Sequence, residues 1–346
     1  DSWTGAELGS LAPKFNGCDD IATDDPDCPP GTGGDLAALP QWRGTRDCVI
    51  TSVVRPGLGV TEDEGQLRVN CEFMPAAVET FTPIPEVGFG TSLAALPADN
   101  AVGVVLVGAP GEGGGRIYRI RQDNAMPVAL PGPDGAGIGA SAAFGSKIVA
   151  HAIPALAGLD SDAVIVAAAA PGLSRVVVFG LGQVAGETQT VTLGCIDGVD
   201  IRSPREFIEE GSGLALGDTD GDGQPGVFIG DMPNERVLRV QISDLVGGIG
   251  CTTVGASDDP PSQALACPSV DGVGCLGFGA SMAIGDFDGD GDGDLLVGAP
   301  RSSAGGAAGG AAFVLPGGAS GPDASAAVAL FHADMAADDL LGGEVT

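Results

Sequence analysis

Aromatic residues make up only 4% of the 346-residue chain. Trp3, Trp42 and Tyr118 are too few and too scattered to form a sugar-stacking platform. Lysine is nearly missing, with Lys14 and Lys147 alone. The 15 basic residues face 46 acidic ones, for a formal charge of −31. Such a surface repels nucleic-acid phosphates and anionic lipid and suits cations instead, so neither nucleic acid nor membrane insertion is expected. Histidine occurs only at His151 and His332, and none of the eight cysteines sits in a CxxC pair, which leaves zinc without a donor set. No apolar run reaches the roughly 18 residues of a membrane-crossing helix.

Catalytic signatures are equally scarce. The stretches GASAA (139–143) and GASMA (279–283) lack the closing glycine of a nucleophile elbow. GAGIGASAAFG (135–145) lacks the sixth-position glycine of a dinucleotide fingerprint, and no βαβ pattern surrounds it. His151 and His332 both read as strand-end residues, so the chain reads as a non-enzyme.

Hydrophobic residues are abundant, at 44%, and 59 glycines break them into short runs. That is the signature of many short strands rather than of disorder or long helices. The eight cysteines, at positions 18, 28, 48, 71, 195, 251, 267 and 275, read as disulfides and hence as an oxidising compartment. Eight cysteines allow about 105 connectivities, among which sequence proximity favours Cys18–Cys28, Cys48–Cys71 and Cys267–Cys275, leaving Cys195–Cys251. Asp1 opens directly on polar sequence, as in a mature, processed chain.

The apolar runs repeat. GFGASMAIGDFDGDGDGDLLVGAP (277–300) aligns with GFGTSLAALPADNAVGVVLVGAP (88–110), with EEGSGLALGDTDGDGQPGVFIGDMP (209–233) and with AAFGSKIVAHAIPALAGLDSDAVIVAAAAPG (142–172). The closing LLGGEVT (340–346) resembles one more opening, and ELGSLA (7–12) is a weaker match. The marker glycines Gly90, Gly145, Gly211, Gly279 and Gly342 are 55, 66, 68 and 63 residues apart. Each copy reads as four short antiparallel strands. In the fullest copy these are 281–284, 295–297, 311–315 and 327–331. A unit of this size must stack on its neighbours to bury both faces, and radial stacking of four-stranded sheets is a β-propeller. The expected organisation is an N-terminal blade-like region over 1–86, bearing a cysteine-flanked acidic insertion (18–28). Blades then start near 88, 143, 209, 277 and 340, and the chain stops mid-blade. Three accounts of that stop are open: a longer propeller; closure in cis by CVITSVV, GQLRVNCEF and AVETFT; or strands supplied by a second copy.

Alternating aspartates with glycine at the sharp turn can wrap Ca²⁺, which takes six to eight oxygen ligands. In the loop 286–294 the candidate ligands are Asp286, Asp288, Asp290, the backbone carbonyl of Asp292, and Asp294 in the ninth place. Val297 replaces the glutamate an EF-hand requires, so the loop is flanked by strands. The second candidate loop offers Asp218, Asp220, Asp222 and the carbonyl of Gln224, but its ninth position is Gly226 and one ligand is lost, so it is expected to bind calcium more weakly and with extra water. The corresponding stretches 96–102 and 154–163 lack the pattern and are expected to be metal-free.

The segment FGASMAIGDFDGDGDGDLLVGAP resembles the FG-GAP repeat, the blade unit of integrin α-subunit propellers and of many secreted bacterial proteins. The resemblance implies a β-propeller with calcium in the loops between first and second strands of some blades. It implies no particular activity. With the disulfide reading, the expected setting is secreted or surface-exposed, and the expected role is binding or structural, in adhesion or extracellular assembly, toward a protein or glycan ligand. Two alternatives stand beside that role: a self-assembling filament subunit, and a carbohydrate-binding or carbohydrate-active propeller.

Overall fold

The computed structural model describes residues 36–42, 46–55, 64–71 and 79–80 as strands. From 88 to 343 it describes all but 100–101, 112–113, 122–123, 131–138, 140–141, 154–155, 157–160, 185–186, 200–212, 246–250, 254–261, 271, 304–308 and 332–340. The expected ELGSLA opening, the acidic insertion 18–28 and His332 lie outside the described residues.

The protein is an all-β propeller of four-stranded antiparallel blades. The first sheet holds β1 (Leu36–Trp42), β2 (Arg46–Arg55), β3 (Glu64–Cys71) and β4 (Glu79–Thr80) in that order. The second holds β5 (Leu93–Asp99), β6 (Val102–Ala109), β7 (Arg116–Arg121) and β8 (Asn124–Ala129). The third is built from β9 (Ile148–Ala152), β10 (Ser161–Ala170), β11 (Arg175–Val184) and β12 (Glu187–Asp197). The fourth comprises β13 (Leu214–Gly217), β14 (Gly226–Asp231), β15 (Arg236–Gln241) and β17 (Ser262–Ala266). The fifth comprises β18 (Met282–Gly285), β19 (Asp294–Ala299), β20 (Ala311–Leu315) and β21 (Val328–Leu330). The opening strands β1, β5, β9, β13 and β18 neighbour one another in that order. The segments CVITSVV, GQLRVNCEF and AVETFT provide β2, β3 and β4, while the opening place in their sheet is taken by β1.

Apolar runs such as AVIVAAAA in β10 follow from burial on both faces of a middle strand. Ile165, Ala167 and Ala169 pack with Val227, Ile229 and Leu238 of the fourth blade. Their alternates Val164, Val166 and Ala168 pack with Leu106 and Ile117 of the second. Phe228 turns the other way from Val227 and Ile229, into the cluster of Phe278, Leu295, Val297 and Phe313.

The repeated letters acquire physical roles at these interfaces. The phenylalanine of each FG pair meets an aromatic ring on its blade's third strand. Phe89 lies 5.5 Å from Tyr118 and Phe278 lies 5.6 Å from Phe313, both edge to face, and Phe144 lies 6.3 Å from Phe179. A Cβ on Gly108, Gly230 or Gly298 would collide with the carbonyl of Gly145, Gly279 or Gly342, which opens the next copy. Glycine there sets how closely consecutive blades approach.

One excursion breaks the four-strand plan. Between β15 and β17 the chain makes a helical turn (Ile242–Leu245) and then β16 (Cys251–Thr253), which joins the third blade parallel to β12. The Cys195–Cys251 disulfide fastens it there, so the bond ties two blades together; Cys267–Cys275 closes a short loop within one copy. Both pairs match the expected pairing. Backbone register sets Cys48 opposite Cys71, and Cys18 and Cys28 lie outside the described residues.

Two outcomes are expected. Phe228→Ala should cost about 3–5 kcal/mol in chemical denaturation, the usual range for emptying a buried aromatic site. Replacing Cys195 and Cys251 together by serine should cost about 2–4 kcal/mol by the same measurement, because the pair closes a long loop.

Candidate metal centre

The two aspartate loops join the first and second strands of adjacent blades, one between β13 and β14 and the other between β18 and β19. Their backbones fold alike. Asp286 accepts from the N–H groups of Gly289 (2.6 Å) and Gly291 (3.2 Å). Asp218 accepts from those of Gly221 (2.9 Å) and Gly223 (2.8 Å). The donating glycines hold φ between +67° and +98°, a left-handed conformation that side chains disfavour. The flanking ladders match as well, Gly217 facing Gly226 and Gly285 facing Asp294.

In the 286–294 loop the carboxylate oxygens of Asp286, Asp288 and Asp294 come within 4.8 Å of one another. Asp286 and Asp288 are exposed, whereas Asp294 is completely buried beneath them. Asp294 accepts from the N–H groups of Phe287 (2.7 Å), Asp288 (3.2 Å) and Gly317 (2.8 Å). Those three bonds leave one of the roughly four acceptor positions of a carboxylate. Asp290 and Asp292 are outside this trio; Asp290 accepts from the Asp292 N–H at 2.9 Å. The carboxyl of Asp288 is pushed above its ordinary range. A hydrogen bond from the Asp290 N–H pulls it down, but desolvation and repulsion from Asp290, Asp294 and Asp286 outweigh that bond. A converging, all-oxygen carboxylate set with one buried member fits a hard cation such as Ca²⁺.

In the other loop Asp218, Asp220 and Asp222 also converge within 4.8 Å, while Gln224 is exposed and donates its N–H to Asp222 at 2.7 Å. A residue the sequence reading did not single out decides this loop's character. The Arg239 guanidinium on β15, only 6% exposed, forms an ion pair with Asp220 Oδ2, which also accepts from Gln241 Nε2 at 2.9 Å. Burial pushes the Asp220 carboxyl up, but the hydrogen bond and charge of Arg239 hold it below its ordinary range. Asp220 Oδ1 is buried without a hydrogen-bond partner. The only advance signal was an arginine within the apolar pattern RVLRVQ.

The loops touch. A Cβ on Gly221 would meet the Asp292 carboxylate, one on Gly293 would meet the Asp218 carbonyl, and Gly318 N donates to Thr219 O at 3.0 Å. His151 on β9, half-buried, feels the same site. Burial lowers its pKa from the ordinary value, and the negative charge of Asp218 partly raises it.

The net lowering means that the unfolded chain binds more protons at mildly acid pH. The His151 contribution to stability is therefore full above about pH 6.5 and is lost as pH falls through the folded-state value. In metal-free buffer, NMR titration should place His151 below its ordinary pKa, and Asp218→Asn should lower it further. A value at or above about 6.5 would contradict the packing described.

No curated protein matches the chain in sequence. The family model of the FG-GAP repeat matches residues 278–315, from the Phe278 opening through the aspartate loop to the end of β20. Within this propeller, residues 278–315 are thus similar to an FG-GAP repeat.

Proposed function

We infer that the chain is a secreted or surface-exposed β-propeller that binds Ca²⁺ in its 286–294 loop and serves a binding or structural role in adhesion or extracellular assembly. The observation that carries the metal reading is the convergence of Asp286 and Asp288 on the buried carboxylate of Asp294. Without a cation these like charges repel at short range. With one, the ion fixes the turn between β18 and β19 and neutralises part of the −31 charge. Its role is structural, because a ligand of the folded state alone stabilises by mass action. The disulfides Cys195–Cys251 and Cys267–Cys275 support an oxidising, extracellular setting. The match to an FG-GAP repeat supports a scaffold whose loops engage a protein or glycan partner.

Thermal unfolding with calcium and with a chelator tests the reading. Calcium at one hundred times Kd should add about 2.7 kcal/mol to wild type. Asp288→Ala should lose most of that gain while keeping its chelator-state melting point. Equal calcium responses in the two proteins would remove the 286–294 site.

A further inference from the structure

In the 218–224 loop one of the three converging carboxylates, Asp220, is already paired with the protein's own cation, Arg239. Superposing the two ladders by register sets Gly226 where the other blade has Asp294. It also sets Arg239, which faces Phe228, where the other blade has Val314, which faces Leu296. The two differences belong together. A Cβ on Gly226 would already lie 3.3 Å from Arg239 Nε and 3.3 Å from Gln241 Oε1. Losing the ninth-position carboxylate thus opens the room that the guanidinium and the amide fill.

The charge balance agrees. Five aspartates crowd the 286–294 loop. In the other, three aspartates less the one guanidinium leave a net charge of −2. Arg239 is also fixed from several sides. Its Nη1 donates to Ser320 O at 3.3 Å and to Gln263 Oε1 at 3.5 Å, and its guanidinium lies 5.9 Å from the Phe228 ring centre. Ser320 belongs to the turn after β20, so this one side chain joins the aspartate loop of one blade to the next blade. A Cβ on Gly321 would collide with the guanidinium, so that turn is shaped around it.

We propose that Arg239 is a built-in counter-ion for Asp220, holding the 218–224 loop in a calcium-loop conformation without calcium and bracing the neighbouring loop against it. A divalent ion at the free Asp220 Oδ1 would sit beside the guanidinium that already holds Oδ2, and like charge would oppose its binding. The contrast between the loops rests on the calcium reading of 286–294; the role of Arg239 does not.

Equilibrium dialysis against radioactive calcium would be run on wild type, on Asp288→Ala/Asp290→Ala and on Asp218→Asn/Asp222→Asn. Melting temperatures of wild type, Arg239→Met and Arg239→Met/Asp220→Asn would be taken in chelator. The expected result is loss of one calcium equivalent from the first double variant and none from Asp218→Asn/Asp222→Asn. In chelator, Arg239→Met should melt several degrees below wild type, with partial recovery when Asp220→Asn removes the stranded charge. Loss of one equivalent from Asp218→Asn/Asp222→Asn would overturn the proposal, as would an Arg239→Met protein that melts with wild type. If Asp288→Ala/Asp290→Ala loses no calcium, the reading of 286–294 fails by itself, and the melting series still decides the role of Arg239.

Discussion

Burial of each middle blade on both faces, by the blade before it and the blade after it, is the constraint on which this structure depends. A four-stranded sheet with two apolar faces has no stable isolated form, and stacking supplies what each repeat lacks. That is why β10 presents Ile165, Ala167 and Ala169 to one neighbour and Val164, Val166 and Ala168 to the other. Small residues dominate at the closest approach. Gly108, Gly230 and Gly298 leave no space for a side chain because the opening carbonyl of the following copy occupies it. Ser92 and Ser281 reinforce the same junctions, donating to Gly145 O and Gly342 O at 2.7 and 2.8 Å.

Two aspartate loops with one backbone design show two ways of living with concentrated negative charge. Asp218 and Asp286 each tie their loop with the same pair of glycine N–H groups, so loop shape is set locally. What differs is the environment beneath. In one blade a buried carboxylate, Asp294, adds to the charge that a metal would meet. In the other a guanidinium, Arg239, subtracts from it. A buried carboxylate and a buried guanidinium cannot serve the same ion, and each is surrounded by groups suited to its own sign.

Cross-links act on the same scale as the stacking. The strand β16 leaves its own copy to extend the preceding blade, and Cys195–Cys251 holds it there. The fourth and third blades are thereby joined through backbone, disulfide and the apolar contacts of Ile242 and Leu245. Arg239 performs a comparable task at the opposite junction, from the fourth blade to the fifth.

The sequence by itself determined the strands, the repeat and the aspartate loops, because each depends on near neighbours. The strands expected at 281–284, 295–297, 311–315 and 327–331 differ from β18–β21 by only a residue or so at most ends, since turn glycines and apolar runs are local signals. The loop pattern was equally legible, as an aspartate reaches glycine N–H groups three and five residues on. Only the tertiary structure decided where β16 lies, that His151 feels Asp218, and that Arg239 neutralises Asp220. Those relations join residues far apart in the chain, and pairing across blades leaves no periodic trace. Arg239 interrupts an apolar strand, and its role exists only once folding sets it beneath an aspartate loop whose own ninth ligand is missing.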